Sequence, residues 1–593
     1  MYKNIPEMLK KRVEKSPERA AHFTLNSKGK WEEHSWSEFY LSSAEIAEKL
    51  FYAGLLAGDN VALIAPTSLL WEYVQMGILI AGGAVVGIDP GEDPLNIEKN
   101  VEICSIKGIV IQDINFLEKL SKDTVNNFGF IIILDNNYDL KCSQNIFFLN
   151  QLERKSLPEI DIKPKSPATI IFTSGTTGEQ KAVLYTHEQV LTACRSVINA
   201  FDDLSCETNL ACWLPLANLF QRMINFCAIE IGAKNFFVEE PKKIAELIPV
   251  INPHIFIGVP RVFEKIYFGI QSEIDRKNKF VKAIINYSIQ KGDIVSADRR
   301  NKKRTSFFTF YMYTILDLLI LKKIRSIFGN NLKYMISGSA PMPLWLLEKF
   351  HALGFLVLEA YGISENIIPN SINTPQNFKL GTVGKPIPEN IVKIAPDGEF
   401  CIKGPGLFSG YYGKNKSEPI FDDEGFFATG DFVSKDEEGY LVIEGRKSEV
   451  FKTSTGRKIA PAGIENVLKE ISYVEQAVVF GAQKKFIVSI LAVSKEFFDK
   501  KEIFSKEEIL KKINGDIFFK TKNLPDYKKP AGFIVKFGEF RQEDFEMTSN
   551  LKLRRKVIEK NYQEEINKIY DFLDGDVFLA ECMQIDNTVF III

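Results

Sequence analysis

The stretch Phe172-Thr173-Ser174-Gly175-Thr176-Thr177-Gly178-Glu179-Gln180-Lys181 gathers glycines, hydroxyls and a lysine into one short segment. Glycines let the backbone turn tightly enough for successive N–H groups to face one anion. The hydroxyls and Lys181 add donors and charge that suit a polyphosphate. The order differs from the Gly-x-x-x-x-Gly-Lys-Ser/Thr of ordinary phosphate-binding loops. By composition alone, a flexible Ser/Thr/Gly turn reads equally well. A second candidate, Glu359-Ala360-Tyr361-Gly362-Ile363-Ser364-Glu365-Asn366, joins an aromatic face suited to a base with a hard oxygen ligand suited to a hard cation. Taken alone, its acid would be solvated and its tyrosine would edge a core. Thr429-Gly430-Asp431 offers a carboxylate able to accept from two hydroxyls. Ser337-Gly338-Ser339-Ala340-Pro341 is in isolation a turn, and Lys552 sits in a basic stretch of the kind that is usually solvated.

These segments need elements to hold them. Apolar β-branched runs alternate with helical patterns through most of the chain, which predicts an α/β fold with parallel sheets covered by helices. Asn60–Ala65, Gly108–Ile111 and Phe130–Leu134 read as strands, and Leu70–Val74 as helical. Ala168–Phe172 reads as a strand running directly into the Ser/Thr/Gly segment. Near Gly430 the texture shifts to short alternating stretches such as Gly439–Ile443, which fit antiparallel hairpins better than parallel crossovers. The expected division is a large N-terminal body, residues 1–447, and a small mobile α+β C-terminal domain, residues 448–593.

With 593 residues the chain exceeds one hydrophobic core. A formal net charge of −2 gives no electrostatic footprint for nucleic acid. Eight cysteines, none in a Cys-x-x-Cys pair, and five histidines indicate neither a disulfide framework nor a structural zinc site. The expectation is reduced, buried thiols in a cytoplasmic protein. The N-terminal residues carry no apolar core of the kind a signal peptide has. The longest apolar run, Phe307–Leu321, is interrupted by Asp317 and falls short of the roughly 20 residues that span a bilayer. Arg299, Arg300, Lys302, Lys303 and Arg304 precede it and Lys322-Lys323 follow, so it could rest on an anionic membrane surface. The plainer expectation is a buried helix with solvated ends. Val589–Ile593 is expected to pack against the body.

The order of the motifs resembles the adenylate-forming superfamily, which includes acyl-CoA synthetases, peptide-synthetase adenylation domains and firefly luciferase. The resemblance covers nearly the whole chain and implies ATP and coenzyme A as co-substrates with Mg²⁺. In it, Thr173, Ser174, Gly175, Thr176, Thr177, Gly178 and Lys181 belong to the phosphate loop, with Thr176 also helping to place the metal. Gln180 and Ala182 stand where proline and glycine are usual. Gly338, Ser339 and Ala340 would line the adenine pocket, and Tyr361 would stack on the base. Gly362 and Ser364 complete that segment, Ser364 keeping the hydroxyl of the usual threonine, and Glu365 would help hold Mg²⁺. Asp431 would bind the ribose hydroxyls with Arg446 nearby. Ser448 stands at the hinge, where Asp or Lys is usual. Met547-Thr548-Ser549-Asn550-Leu551-Lys552-Leu553-Arg554-Arg555 is similar to the stretch that carries the catalytic lysine of long-chain synthetases, with Ser549 and Asn550 replacing Pro-Thr. Lys552 would bridge the substrate carboxylate and the α-phosphate as charge develops.

Gly258–Tyr267 and Trp213–Arg222 resemble stretches of the long-chain branch, with Asn218 in place of a histidine. The implied reaction is ATP-dependent activation of a long-chain fatty acid to an acyl-adenylate, then transfer to CoA. In the transfer step the C-terminal domain swings about Ser448 and brings Lys452–Gly456 to the thiol channel. Transfer to the phosphopantetheine of an acyl carrier protein, or a non-catalytic nucleotide-binding descendant, are the alternatives, and peripheral contact with a membrane fits a lipid substrate.

Overall fold

The computed structural model describes residues 2–135, 145–173, 180–300, 303–413, 420–500, 505–547, 552–575, 583–585 and 588–592. They form two compact units: residues 1–392 with 402–427, and residues 393–401 with 428–593. Residues 428–447, which the sequence reading grouped with the body, fall in the second unit.

The first unit is built on two sheets. One has seven strands, ordered Ile146–Phe148, Phe130–Ile133, Ile106–Ile111, Asn60–Ile64, Ala84–Gly87, Pro167–Thr173 and Lys181–Thr186. All neighbours pair parallel except the last, which returns antiparallel on Pro167–Thr173. Strands covered on both faces need apolar side chains on both, and Asn60–Ile64, Ala84–Gly87 and Phe130–Ile133 are buried at every position. That double burial is why the first and last of these runs stood out in the sequence, while the short Ala84–Gly87 did not. Leu69–Ile80 follows the central strand as a helix, with the Ser68 hydroxyl accepting from Trp71 N–H at its start.

The second sheet runs through Lys385–Pro386, Ser371–Ile372, Val357–Tyr361, Tyr334–Ser337, Ile255–Gly258, Asn209–Cys212, Lys234–Phe237, Ala20–Leu25 and Trp31–Ser35. Its central strands are parallel, with Ile257 opposite Ile336 and Ser337 opposite Glu359. The two sheets approach where Gly87 ends its strand: a Cβ there would lie 2.9 Å from the Ala217 carbonyl oxygen. The Thr67 hydroxyl ties the same region, donating to Leu214 O at 3.0 Å and accepting from Leu216 N–H at 3.1 Å.

The helical segment over Phe307–Arg325 corrects the expectation of a buried helix. Phe307 is 85% exposed, and Phe308, Tyr311, Leu318 and Leu319 are exposed with it. Its attachment runs along another side: Leu321 is buried, and Arg325 takes the Asp317 carboxylate through both terminal nitrogens at 2.5 and 2.9 Å. Among the described residues no helix is long and apolar enough to cross a membrane.

In the second unit, Phe427–Lys435 and Leu441–Arg446 pair antiparallel, as the alternating pattern predicted. Beyond them, a five-stranded sheet is ordered Val474–Phe480, Val488–Val493, Gly532–Phe537, Thr588–Ile592 and Met583–Ile585. One apolar cluster around Leu491, Ile513 and Phe533 fills one side, and another around Ile490, Ile534 and Ile569 fills the other. The apolar C-terminal run is thereby explained: Thr588–Ile592 is a strand parallel to Gly532–Phe537.

Candidate active site

Three parallel strands of the nine-stranded sheet end side by side, and each is followed by a segment that the sequence analysis singled out. Ile255–Gly258 leads into Val259-Pro260, Tyr334–Ser337 into Gly338-Ser339-Ala340, and Val357–Tyr361 into Gly362–Glu365. The crevice outside the carboxyl ends of parallel strands is the usual ligand position in open α/β sheets. Gly338 N–H donates to Gly258 O at 3.1 Å, so the first two segments are joined. A Cβ on Gly338 would press on the Phe220 ring at 3.2 Å. Ser339 takes a left-handed φ of +72°, a conformation that a non-glycine residue adopts only under constraint.

The constraint includes Glu359. Its carboxylate accepts from Met342 N–H at 2.9 Å, pinning the far end of the Gly338–Met342 segment to the strand that carries Tyr361. Burial raises the Glu359 carboxyl to about 8, so at neutral pH it is mainly protonated. Tyr361 is itself buried, and its carbonyl accepts from Asn370 N–H at 2.7 Å.

The Ser/Thr/Gly loop leaves from Thr173 and returns at Lys181, which face each other across the Pro167–Thr173 and Lys181–Thr186 hairpin. Ser174, Gly175, Thr176, Thr177 and Gly178 lie outside the described residues. At the root of the loop the Lys181 ammonium lies 4.6 Å from the centre of the Tyr411 ring, and the Tyr411 hydroxyl donates to Glu365 Oε1 at 2.8 Å. Tyr185 donates to Ser364 O at 2.5 Å, fixing the same segment from four residues further along the Lys181–Thr186 strand. Lys181, Ser364 and Glu365 are thus brought together through Tyr185 and Tyr411. Gln180, where the resemblance expected proline, is held at both ends of its amide: Asn100 donates to Oε1 at 2.7 Å, and Nε2 donates to Glu92 Oε2 at 2.9 Å. Two side-chain bonds do there what a fixed φ would do in a proline.

Between the nine-stranded sheet and the helices His187–Asn199 and Leu219–Ile231, a small apolar cavity is lined by Phe201, Leu210, Ile224, Ala228, Ile257 and Ile336. A buried polar network supports the adjoining Trp213–Leu216 segment. Gln221 Oε1 accepts from Trp213 and Leu214 N–H, Gln221 donates to Asn225, and Asn225 donates to Glu72. Asn218 is the N-cap residue of the helix Leu219–Ile231 and makes no side-chain cap bond.

The second unit holds the other candidates. Asp431 and Arg446 are cross-strand neighbours, and the Arg446 Nε stands 3.2 Å from the buried Asp431 carboxylate. Lys447 then binds Asp397 at 2.8 Å and Glu399 at 2.6 Å, immediately before the turn at Ser448. Met547 and Leu553 bridge antiparallel, and Lys552 directly precedes that bridge; residues 548–551 lie outside the described residues. Burial first, and then the Arg446 charge, push the Lys552 ammonium down to about 8, while Asp431 and Glu449 act in the opposite sense. Lys552, Asp431 and Arg446 therefore share one electrostatic neighbourhood.

Sequence reasoning passed over Tyr411, Glu359 and the Asn100–Gln180–Glu92 tether. Tyr411 and Glu92 lie far from the motifs along the chain, and no local pattern marks them. Glu359 could have been found, since an acid two places before Tyr361 on a buried strand must be satisfied or neutral.

A hydroxyl- and glycine-rich loop rooted beside a lysine and an acid at parallel strand ends is the arrangement of an α/β enzyme that handles a nucleotide. The chain belongs to the AMP-binding enzyme family: residues 9–412 match that family and residues 449–574 match the AMP-binding enzyme C-terminal domain. It is 26% identical over 577 residues to the long-chain-fatty-acid–CoA ligase FadD15 of Mycobacterium bovis, covering 92% of this chain and 93% of that one. Long-chain-fatty-acid–CoA ligase 5 of Rattus norvegicus is 26% identical over 502 residues, covering 77% and 71%. Among solved structures, the A domain of carboxylic acid reductase from Segniliparus rugosus, in complex with AMP and a co-purified carboxylic acid, matches with a TM-score of 0.77 at 19% identity, covering 96% and 94%. O-succinylbenzoate coenzyme A synthetase from Bacillus subtilis, in complex with ATP and magnesium ion, matches with a TM-score of 0.66 at 20% identity, covering 93% and 98%. The resemblance read from the motifs is borne out, and so is the fold class.

Proposed function

We propose that the chain uses ATP to activate a long-chain fatty acid as its acyl-adenylate and passes the acyl group to coenzyme A. The observation that carries this reading is the Lys181–Tyr411–Glu365 cluster at the root of the Ser/Thr/Gly loop, beside the strand-end segments Gly338–Ala340 and Tyr361–Ser364. The long-chain substrate is supported by the relatives' names.

In this reading Thr173 to Gly178 and Lys181 hold the β- and γ-phosphates, Gly338–Ala340 and Tyr361 hold adenine, and Asp431 with Arg446 holds the ribose. Glu365, with its hard oxygens, and the Thr176 hydroxyl suit Mg²⁺, an ion that takes few protein ligands and leaves other positions to phosphate and water. Bound there, the ion would supply charge neutralisation at the phosphates. The fatty acid carboxylate oxygen forms a bond to the α-phosphorus while the bond to the bridging oxygen breaks, and pyrophosphate leaves with that electron pair. The Lys552 ammonium neutralises negative charge between carboxylate and α-phosphate. The domain beyond Ser448 then swings, taking Lys552 away and bringing Lys452–Gly456 to the thiol. The CoA thiolate attacks the acyl carbonyl, the acyl–oxygen bond breaks, and AMP leaves.

The test is ATP–pyrophosphate exchange across acids of increasing chain length, followed by thioester formation with CoA or holo-acyl carrier protein. Exchange that requires a long-chain acid, with CoA as the better acceptor, is the expected result. ATP binding without exchange for any acid would overturn adenylation, and preference for the carrier protein would overturn the acceptor.

A further inference from the structure

The exposed helical segment over Phe307–Arg325 has no place in the chemistry above. We propose that it is a docking surface for an anionic lipid bilayer, lying in the plane of the headgroups.

Four observations lead there. The outward residues are large and apolar: Phe307, Phe308, Tyr311, Leu318 and Leu319 are exposed by 85, 69, 56, 64 and 56%. Single exposed apolar residues are ordinary, but a contiguous strip of this kind marks an interaction surface. The strip is held rigidly, because its other side is fixed by buried Leu321, by the paired Asp317–Arg325 contacts and by Arg325 donating to Leu353 O at 2.9 Å. The helix Lys279–Arg300, against which it packs, adds exposed Phe280, Tyr287 and Ile294, each one heptad from the next and so on one face. Finally, both ends of the strip carry exposed cations, Lys303 and Arg304 before it and Lys322 and Lys323 after it.

An aromatic and aliphatic strip between basic ends suits the interface of a bilayer, where rings enter the acyl boundary and ammonium groups meet phosphate. A second copy of the chain fits less well, since a two-fold pairing of this helix would bring like charges together, and lysine is depleted at protein interfaces. The segment is too short and too charged to span a bilayer, so it lies on the surface.

Co-sedimentation of the full chain with phosphatidylcholine vesicles, with and without phosphatidylserine, tests the proposal. The expected result is binding that needs phosphatidylserine and weakens as salt rises. The double variants F307S/F308S and K322E/K323E should each lower partitioning by about tenfold or more. Their circular dichroism and ATP–pyrophosphate exchange should stay at the wild-type level. Failure of the wild-type chain to bind either vesicle, or equal binding by the variants, would overturn the proposal. Sedimentation velocity showing a wild-type dimer that F307S/F308S dissolves would overturn it in favour of a second copy. The vesicle readout does not depend on the reaction, so loss of the adenylation reading would leave it standing.

Discussion

Lys552 and Glu359 are each held away from their ordinary protonation, and each gives a pH dependence of definite sign. The Lys552 ammonium, lowered to about 8 by burial and by Arg446, is charged below that pH and neutral above it. If its charge stabilises adenylation, ATP–pyrophosphate exchange should fall as pH rises through about 8. In Lys552→Arg, whose guanidinium stays protonated, that alkaline limb should disappear even if the maximal rate is lower. Lys552→Ala should lose roughly 100- to 1000-fold in exchange at neutral pH, the usual cost of removing one group that stabilises developing charge. An unchanged exchange rate would remove Lys552 from the chemistry. Glu359 acts on stability. Burial raises its carboxyl from 4.5 to about 8, so between those values the unfolded chain gives up a proton that the folded chain keeps. Stability should therefore fall as pH climbs from about 5 to 8, by on the order of a few kcal/mol. Glu359→Gln should flatten that slope and melt higher than wild type at pH 8; equal slopes in the two proteins would show that the carboxyl is not neutral in the fold.

The strands of the first unit were legible because their burial on both faces leaves an unbroken apolar run, as in Phe130–Ile133. The hairpin beyond Gly430 was legible for the opposite reason, its alternation marking a sheet with two different faces. The helical segment over Phe307–Arg325 was misread because apolar composition records a preference for burial and not its satisfaction; Phe307 and Phe308 stay exposed while Asp317 and Arg325 make the anchoring contacts. The site was legible where its residues are neighbours in sequence, as in Tyr361–Glu365. It was not legible where an element far along the chain supplies the partner, as Tyr411 does for Lys181. The Gln180 tether gives a prediction at this scale. Gln180→Ala removes the bonds to Asn100 and Glu92 at the exit of the phosphate loop, and leaves an unpaired amide at the buried Asn100. The Michaelis constant for ATP should rise several-fold with kcat altered less, because the loop must then be ordered at the expense of nucleotide binding. Gln180→Pro should restore much of the affinity by fixing φ. An equal loss of kcat and affinity in Gln180→Ala, with no rescue by proline, would mean that the tether serves the chemical step instead.

The candidate residues are divided between two compact units, with Lys181, Tyr361 and Glu365 in one and Asp431, Arg446 and Lys552 in the other. Ser448 lies inside the second unit, with Asp431 and Arg446 before it and Lys552 after it, so the proposed swing is a movement within that unit. Within the second unit, Arg446 and Lys447 are tied by their ion pairs to Asp431, Asp397 and Glu399, and Ser448 is the first residue beyond that anchored strand end. A rotation that carries Lys552 away after adenylation would therefore be absorbed at Ser448, where the backbone leaves a fixed strand for a turn. Proline at this position would hold φ near −65° and narrow the range that the connection can sample. The two half-reactions should respond unequally to Ser448→Pro. If the trapped arrangement is the adenylating one, pyrophosphate exchange should stay within about twofold of wild type while CoA thioester formation falls tenfold or more; trapping of the other arrangement reverses the two losses. In either case the ratio of the rates shifts while the melting temperature changes little, since Ser448 lies in a turn and not in a sheet ladder. Equal rates for both half-reactions in the variant and wild type would place the moving point elsewhere in the chain, and the anchored pairs at Arg446 and Lys447 would then be a structural clasp without a part in the cycle.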